Sequence, residues 1–309
     1  MPRIKYVDKL FSKEKKTLIA MADQRASDMA RQGYDMTVRQ LYYFFVKQNL
    51  IPNKEESYKM VINLVRDARR AGLLDWNHIV DRTRGAKGPQ HWPTVGSFMS
   101  AAANSFDVDW WENQKNYVEV WVEKDALIGI FSKACQPWKC PVLSCRGYVS
   151  DSEIWKSSQR LVRKAATKKR IVILQLSDHD PSGLDMTRDI AERIEMFSDG
   201  CSKIEVKRIA LTMAQVEEVQ APPNPAKTTD SRFKKYCEEF GNESWELDAL
   251  EPSYIADLIA AHFKKLVDKK AWAISEAARD AGREKVYQLA AKLDDADDVE
   301  PPEDSEDDD

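Results

Sequence analysis

The first third of the chain carries hydrophobic residues at helical spacing. Between Ser12, which can cap a helix, and Gly33, which can end one, apolar residues recur every three or four positions from Leu18 to Met29. This spacing predicts a helix over residues 12–32 with one apolar face. The face implies that the helix packs on a core formed with the segments that follow.

Two further helices and a basic loop are predicted next. One helix begins with Thr37 as its N-cap and runs to Val46, and the other ends at Gly72. Asn53, followed three positions later by Glu56, has the spacing of a capping box at the start of the second. A candidate strand over residues 78–80 and a basic loop over residues 84–89 follow. This order predicts a winged helix-turn-helix, a fold that places one helix in the DNA major groove.

From residue 117 onward the pattern changes to alternating strands and helices. Strands are predicted over residues 117–122, 140–144, 170–177 and 203–211, with helices beginning at Asp125, Ser150 and near Ser182. The third of these strands is almost entirely apolar, as expected for a strand buried on both faces of a parallel sheet. The fold class predicted for this region is therefore a parallel α/β domain.

Length and composition set the domain organisation. The 309 residues, of which 43% are hydrophobic, are enough for two domains of about 150 residues each. We expect a winged-helix domain over residues 1–90, a connector over 91–115, an α/β domain with a helical extension over 116–292 and an acidic disordered tail over 293–309. The five cysteines are expected to be reduced thiols, and the chain has no apolar run of the roughly 18–20 residues that a membrane span needs.

The charge of the chain is divided unevenly. Residues 294–309 carry 11 acidic side chains and no basic ones, so residues 1–293 hold 47 basic against 40 acidic side chains, a net charge of +7. A basic body favours binding of a polyanion. The acidic tail either competes for that surface or is a solvated segment without a binding role.

Three carboxylates follow two of the predicted strands. Glu123 comes directly after the first strand, and Asp178 and Asp180 follow the apolar strand in the run Ser177–Gly183. The carboxyl ends of parallel strands meet at one edge of the sheet, and an Asp-x-Asp spacing in extended chain puts both side chains on one side. Converging carboxylates repel one another unless a cation lies between them, and oxygen ligands favour Mg²⁺ or Mn²⁺.

This acidic pattern is similar to that of the Toprim fold of topoisomerases, primases and some nucleases. Upstream, the run Thr37–Tyr43 resembles the active-site motif of the topoisomerase VI A subunit and its relative, the meiotic double-strand-break transesterase. The resemblance extends over most of residues 15–270, and the short chain looks like the compact stand-alone members of that type IIB family. It implies a winged helix-turn-helix followed by a Rossmann-like Toprim domain, with Tyr43 as the nucleophile that forms a 5′-phosphotyrosyl link to DNA.

The chemistry of these residues agrees with that expectation. Tyrosine has an unperturbed pKa of about 10, so a nearby cation must stabilise the phenolate. Arg39 precedes Tyr43 by one helical turn and projects from the same face. Tyr42 is the competing nucleophile, but it points about 100° away, so we expect it to pack in the core. Tyr42 to Phe45 also has the pattern of an aromatic core stripe.

The predicted partners are double-stranded DNA and a second copy of the chain. In the family the tyrosine and the metal site of each active centre come from different subunits of a homodimer. Because the chain has no ATP-binding fingerprint, strand passage requires a separate ATPase subunit, whereas cutting and resealing do not. The expected phosphate contacts are basic side chains of the winged region, namely Arg66, Arg69, Arg70, Arg82, Arg84 and Lys87. We expect a cytoplasmic, nucleoid-associated location.

Several alternatives stay open at this stage. A hydrolytic Toprim nuclease needs the acids but not the tyrosine, and a DNA-binding module needs neither. Glu246 and Asp248, in a run that resembles an acidic segment of the family, either support the metal or cap a helix. His179 either contacts phosphate or is structural, and Cys135, Cys140 and Cys145 are expected to be buried thiols.

Overall fold

The computed structural model describes residues 3–80, 89–167 and 169–297, with side chains to residue 292. Within these ranges the helices are α1 Lys13–Arg31, α2 Val38–Lys47, α3 Glu55–Arg70, α4 Val95–Ser105, α5 Ile128–Cys135, α6 Asp151–Ala166, α7 Pro181–Phe197, α8 Met213–Val219, α9 Phe233–Phe240, α10 Pro252–Leu266 and α11 Lys269–Asp297. The strands are β1 Asn116–Val122, β2 Val142–Ser144, β3 Arg170–Leu176, β4 Ile204–Ala210, β5 Asn224–Pro225 and β6 Glu243–Ser244.

Backbone contacts divide the chain into two compact units. The first unit comprises Met1–Gly85 and Asn116–Leu266, and the second comprises Ala86–Lys115 and Val267–Asp309. The first therefore contains both the helical N-terminal region and the α/β region that the sequence predicts. The domain limits expected from the sequence stay predictions.

The N-terminal region consists of three helices whose caps are encoded locally. The Ser12 side chain accepts from the amide of Lys15, and Thr37 forms a reciprocal capping box with Gln40. Gly33, with a φ of 76°, supplies the left-handed turn after α1. The positions predicted for α1 and α2 are confirmed.

The capping box predicted for α3 is wrong. Lys54 is the N-cap and makes no side-chain cap bond. The Asn53 side chain instead bonds to Tyr42 and to Asn224 of β5, which leaves it unavailable to α3. The candidate strand over residues 78–80 forms only one parallel bridge, between Met36 and Ile79.

A shared apolar core holds the three helices together. Met36, Leu41, Phe45 and Val61 are fully buried in it, and both Tyr42 and Tyr43 belong to the same cluster. The four consecutive residues 40–43 of α2 are all buried, so α2 is enclosed by its neighbours on more than one face.

The second region of this unit is an α/β fold with a Rossmann-like, four-stranded parallel sheet. The strand order is β2–β1–β3–β4, and β1 pairs with β3 in continuous register from Asn116 opposite Arg170 to Val122 opposite Leu176. β3 is buried along its length after Arg170, as its apolar sequence predicts. The residues that follow β1 and β3 consequently lie at the same edge of the sheet.

The second unit pairs α4 with α11. Trp110 lies 4.8 Å from Trp272 between ring centroids, and Arg279 stacks 5.0 Å from the Trp110 ring. Arg283 donates to the carbonyl of Phe106 at 2.9 Å. The connector expected over residues 91–115 therefore contains a helix that the sequence analysis did not predict. None of the helices in the described ranges is long and apolar enough to cross a membrane.

We predict that the sheet centre dominates the stability of the first unit. Leu174→Ala removes a side chain with no exposed surface and is expected to lower the free energy of unfolding by about 2–5 kcal/mol. Leu10→Ala is the matched control, because 97% of Leu10 is exposed, and its effect is expected to stay within about 0.5 kcal/mol. Urea denaturation measures both values, and equal losses would contradict the assignment of the core.

Candidate active site

A cleft of about 680 Å³ lies at the carboxyl edge of the sheet. Its lining includes all three predicted carboxylates, Glu123, Asp178 and Asp180. Glu123 follows β1 and its Oε2 accepts from the backbone amide of Asp178 at 3.0 Å. This bond ties the end of β1 to the end of β3 and brings the acids to one place, as the strand arrangement predicts.

A tight turn after β3 positions the two aspartates. Asp180 caps α7, with its Oδ1 accepting from the Gly183 amide at 2.6 Å and from the Ser182 hydroxyl at 2.9 Å. A Cβ at Gly183 would overlap the carbonyl oxygen of Asp178, so only glycine allows this approach. Arg208 fixes the turn from β4 by donating to the carbonyl of Asp178 at 2.8 Å and to that of Gly183 at 2.9 Å.

The carboxylates raise one another's pKa. Burial raises the pKa of Asp178 to about 7, and the neighbouring charge of Glu123 adds to this effect although Lys124 opposes it. Burial also raises the pKa of Glu123, and the charge of Asp180 contributes in the same direction. Burial first, and the neighbouring carboxylates second, therefore disfavour the charged forms of Asp178 and Glu123.

Lys124 lies at the centre of the acidic cluster, although the sequence analysis did not single it out. Its ammonium lies 2.9 Å from Asp178 Oδ2, 2.8 Å from Glu246 Oε2 and 2.6 Å from Asp248 Oδ2. Its position directly after Glu123, just past the end of β1, is the sequence feature that could have indicated a place in the acidic cluster. Glu246 and Asp248 thus both pair with the Lys124 ammonium. The adjoining helix is a single 3-10 turn, and the side chain of Glu246 makes no capping bond to it.

Arg39 of α2 joins the helical region to this acidic cluster. Its guanidinium forms a two-pronged ion pair with Glu246, with one N–H···O distance of 2.9 Å from Nε to Oε2. Burial alone would raise the pKa of Glu246, but Lys124 and Arg39 together lower it to about 2. Arg39 also lies over the rings of Tyr43 and Tyr58, at 5.8 and 5.2 Å from their centroids.

Tyr43 shares the Arg39 face of α2, as the helical spacing predicts, but it is only 4% exposed. Its hydroxyl accepts a hydrogen bond of 3.0 Å from Asn224 Nδ2 on β5. Burial and the nearby charge of Glu246 raise the pKa of Tyr43 well above its ordinary value, although Arg39, Asn224 and Lys124 all oppose that rise. The lining of the acidic cleft includes Arg39 and Tyr58 but not Tyr43.

Tyr43 instead lines a second cavity, of about 450 Å³, with Tyr42 and Asn224. Arg39 and Tyr58 line this cavity as well as the acidic cleft. Tyr42 packs edge-on against Tyr58 and donates to Asn53 Oδ1 at 2.5 Å. Tyr42 and Tyr43 are therefore both packed and hydrogen-bonded, and the Arg39 guanidinium lies over the ring of Tyr43.

The predicted phosphate contacts fall into three groups. Arg66 and Arg70 have exposed side chains on α3. Arg69 is half-buried and stacks over Trp76, with 5.4 Å from its guanidinium carbon to the ring centroid. Arg82, Arg84 and Lys87 lie outside the described residues.

His179 has a structural environment. It is buried, its Nδ1 lies 3.0 Å from the Tyr236 hydroxyl, and the Phe240 ring meets it edge-on with 4.7 Å between centroids. Burial lowers its pKa to about 4, which keeps the ring neutral. Cys135 and Cys145 are buried free thiols and Cys140 is partly buried, as expected for cysteines without a disulfide.

The acids fit a hard divalent cation by their chemistry but are not yet arranged as a finished site. No three His, Cys, Asp or Glu side chains of the described ranges converge as a ready metal-binding group. Asp178 already binds Lys124 and the Leu247 amide, whereas the described bonds of Glu123 and Asp180 each involve one carboxylate oxygen. Carboxylate oxygens are the donors that Mg²⁺ prefers in proteins.

Comparison with known proteins adds no family. No protein-family model matches the chain, and no curated protein matches it either. The site therefore has to be interpreted from its own geometry.

We predict that Asp178 gives stability a pH dependence of defined sign. Because its pKa is raised to about 7 in the folded protein, the folded state binds more protons than the unfolded state between about pH 4 and 7, and the Asp178 contribution to stability falls as pH rises. Asp178→Asn should remove that fall in urea unfolding measured with a chelator present. Asp8→Asn, which changes an exposed carboxylate, should retain it, and identical pH profiles for wild type and Asp178→Asn would contradict the shift.

Proposed function

We propose that the chain is a DNA-cleaving transesterase of the type IIB topoisomerase A-subunit kind, with a winged helix-turn-helix and a Toprim domain. The observation that carries this proposal is the ion pair of Arg39 with Glu246. Through it, the helix that bears the candidate nucleophile Tyr43 lies beside the edge that bears Glu123, Asp178 and Asp180. A purely structural aromatic stripe does not require such a connection to an acidic cluster.

Double-stranded DNA is the proposed substrate. Residues 1–293 carry a net charge of +7, and Arg66 and Arg70 have exposed side chains on α3. A helix of a helix-turn-helix carries such residues to the phosphates on either side of the major groove. Binding through phosphate contacts is expected to weaken steeply with salt.

Glu123, Asp178 and Asp180 are the residues that would hold Mg²⁺ or Mn²⁺. When bound, the ion supplies charge neutralisation at the scissile phosphate. Lys124 pairs with Asp178, Glu246 and Asp248, and its charge opposes part of the repulsion among the carboxylates.

The chain's own residues account for the nucleophilic step. The oxygen of Tyr43 attacks the phosphorus, a Tyr43 O–P bond forms and the P–O3′ bond breaks. The phenolic proton leaves to water, and the departing O3′ takes a proton from water and becomes a hydroxyl. One phosphodiester replaces another, so the reaction can reverse. Arg39, which contacts the Tyr43 ring, is positioned to stabilise the negative charge that develops at the phenol or the phosphate.

A conformational change must accompany this step. Tyr43 is 4% exposed and lines the second cavity, so DNA reaches its oxygen only when other side chains around that cavity move, while the hydrogen bond from Asn224 is kept. In the proposed homodimer, such a movement also allows Tyr43 of one copy to act at the acids of the other.

A hydrolytic metal-dependent nuclease is the second candidate. One observation favours it: the acids line an open cleft whose lining does not include Tyr43. In that case water replaces the phenol as nucleophile, and no protein becomes attached to DNA.

A denaturant quench separates the two functions. We expect wild-type protein with Mg²⁺ and supercoiled DNA to give DNA ends covalently bound to protein after addition of detergent. Tyr43→Phe should abolish both the adduct and the cleavage, whereas Tyr42→Phe, the matched control, should keep both. Cleavage by Tyr43→Phe at the wild-type rate would favour the nuclease, and Mg²⁺-independent binding without cleavage would favour a DNA-binding module.

Mixing two inactive variants tests the composite homodimer. If each centre takes Tyr43 from one copy and the acids from the other, a heterodimer of Tyr43→Phe with Glu123→Gln has one intact centre and should nick one DNA strand. If both parts come from the same copy, each centre is defective and the mixture should be inactive. Gel analysis of nicked and linear DNA distinguishes the outcomes, with each variant alone as control.

A further inference from the structure

Four side chains form a continuous hydrogen-bonded chain that ends at the Tyr43 oxygen. Tyr42 donates to Asn53 Oδ1 at 2.5 Å, and Asn53 Nδ2 donates to Asn224 Oδ1 at 3.0 Å. Asn224 Nδ2 then donates to the hydroxyl oxygen of Tyr43 at 3.0 Å. This series of hydrogen bonds runs from Tyr42, which packs in the core, to Tyr43, the candidate nucleophile.

A backbone carbonyl fixes the donor-to-acceptor direction of these hydrogen bonds. The carbonyl of Pro223 contacts the Asn53 amide, and a carbonyl oxygen can only accept, so the group that faces it must be the NH₂ of Asn53. The Asn53 oxygen consequently faces Tyr42. Because the Asn53 NH₂ also meets Asn224, the Asn224 oxygen is turned toward Asn53 and its NH₂ toward Tyr43.

The arrangement makes the Tyr43 oxygen an acceptor in a buried site. A donor aimed at an oxygen that gains negative charge forms a stronger bond as the charge develops, and a low-dielectric surrounding increases the effect. Asn224 also lies near a competing acceptor, since its Nδ2 is 3.5 Å from Glu246 Oε1, but the contact with Tyr43 is the shorter one.

We propose that Asn224 is a catalytic residue that donates a hydrogen bond to the nucleophilic oxygen of Tyr43, and that Asn53 is the positioning residue that holds it in the donating orientation. This proposal rests on the proposed transesterase function. As the Tyr43 O–P bond forms and the P–O3′ bond breaks, the phenolic proton leaves to water, and the Asn224 bond stabilises the phenolate character of the oxygen. The effect of Asn224 on the pKa of Tyr43 has the same direction, because it opposes the rise that burial causes.

The experiment compares variants of the full-length protein in the rate of covalent adduct formation with DNA and Mg²⁺. Asn224→Ala removes the donor and is expected to slow the reaction by about 10²-fold, the size of effect seen when one oxyanion donor is lost. Asn224→Asp places an acceptor opposite the oxygen and should be slowed at least as much. Asn53→Ala leaves the donor but removes its orientation, so a smaller loss is expected.

Ser244→Ala is the matched control. Its hydroxyl donates to the backbone carbonyl of Asn224 at 3.3 Å, so the change loosens the same β5–β6 pair without touching the Asn224 side chain. Its adduct rate should stay within about twofold of wild type, because the lost bond stabilises the fold and does not reach the Tyr43 oxygen. In a pH series, the alkaline rise of the rate should move to higher pH in Asn224→Ala and remain in place in Ser244→Ala.

A second measurement does not depend on activity. With tyrosine labelled at ¹³Cζ, the Tyr43 resonance, assigned through Tyr43→Phe, should shift in Asn224→Ala and not in Ser244→Ala. An unchanged resonance, or a wild-type adduct rate in Asn224→Ala, overturns the role of Asn224 while leaving the transesterase intact. Absence of an adduct from the wild-type protein, with the resonance shift still observed, overturns the transesterase itself and with it the catalytic role.

Discussion

The concentration of negative charge at the carboxyl edge of the sheet is the constraint on which the rest of the first unit depends. Glu123, Asp178 and Asp180 come from the strand ends, and Glu246 and Asp248 reach the same region. Lys124 and Arg39 offset part of this charge. Removing either cation would leave carboxylates with reduced compensation, which is costly where water is partly excluded.

The two cations come from different parts of the first unit. Lys124 belongs to the sheet region, whereas Arg39 belongs to α2, so the same electrostatic requirement that keeps the acids together also attaches the tyrosine-bearing helix to them. Glu246 pairs with both cations, so this one carboxylate joins α2 to the sheet region.

The strand pattern was predictable from sequence because buried parallel strands are nearly continuous in apolar residues, as β3 is. The meeting of Glu123 with Asp178 followed from the topology, and the shared face of Arg39 and Tyr43 followed from helical periodicity. Contacts between residues distant in sequence were not predictable. Asn53 had a plausible local role as a helix cap, but its side-chain amide donates a hydrogen bond to Asn224, 171 positions later. Local signals were also too weak for α4, because the tryptophan, serine and asparagine content of residues 91–115 suggested a connector, although α4 pairs with α11.

The burial of Tyr43 has the same origin as its placement. Its neighbours in α2 are core residues, so the helix cannot present the ring to solvent without exposing part of that core. A phenol kept in this way is shielded from solvent. The contacts of Arg39 with its ring and of Asn224 with its oxygen are already formed.

The second unit has a consequence for biosynthesis. Its two helices are separated by the entire sheet region, so α4 emerges from the ribosome long before α11 can cover it. The contacts of Trp110 with Trp272 and Arg279 can form only after α11 has been made. A chain that stopped after Leu266 would contain both segments of the first unit but would leave α4 without α11.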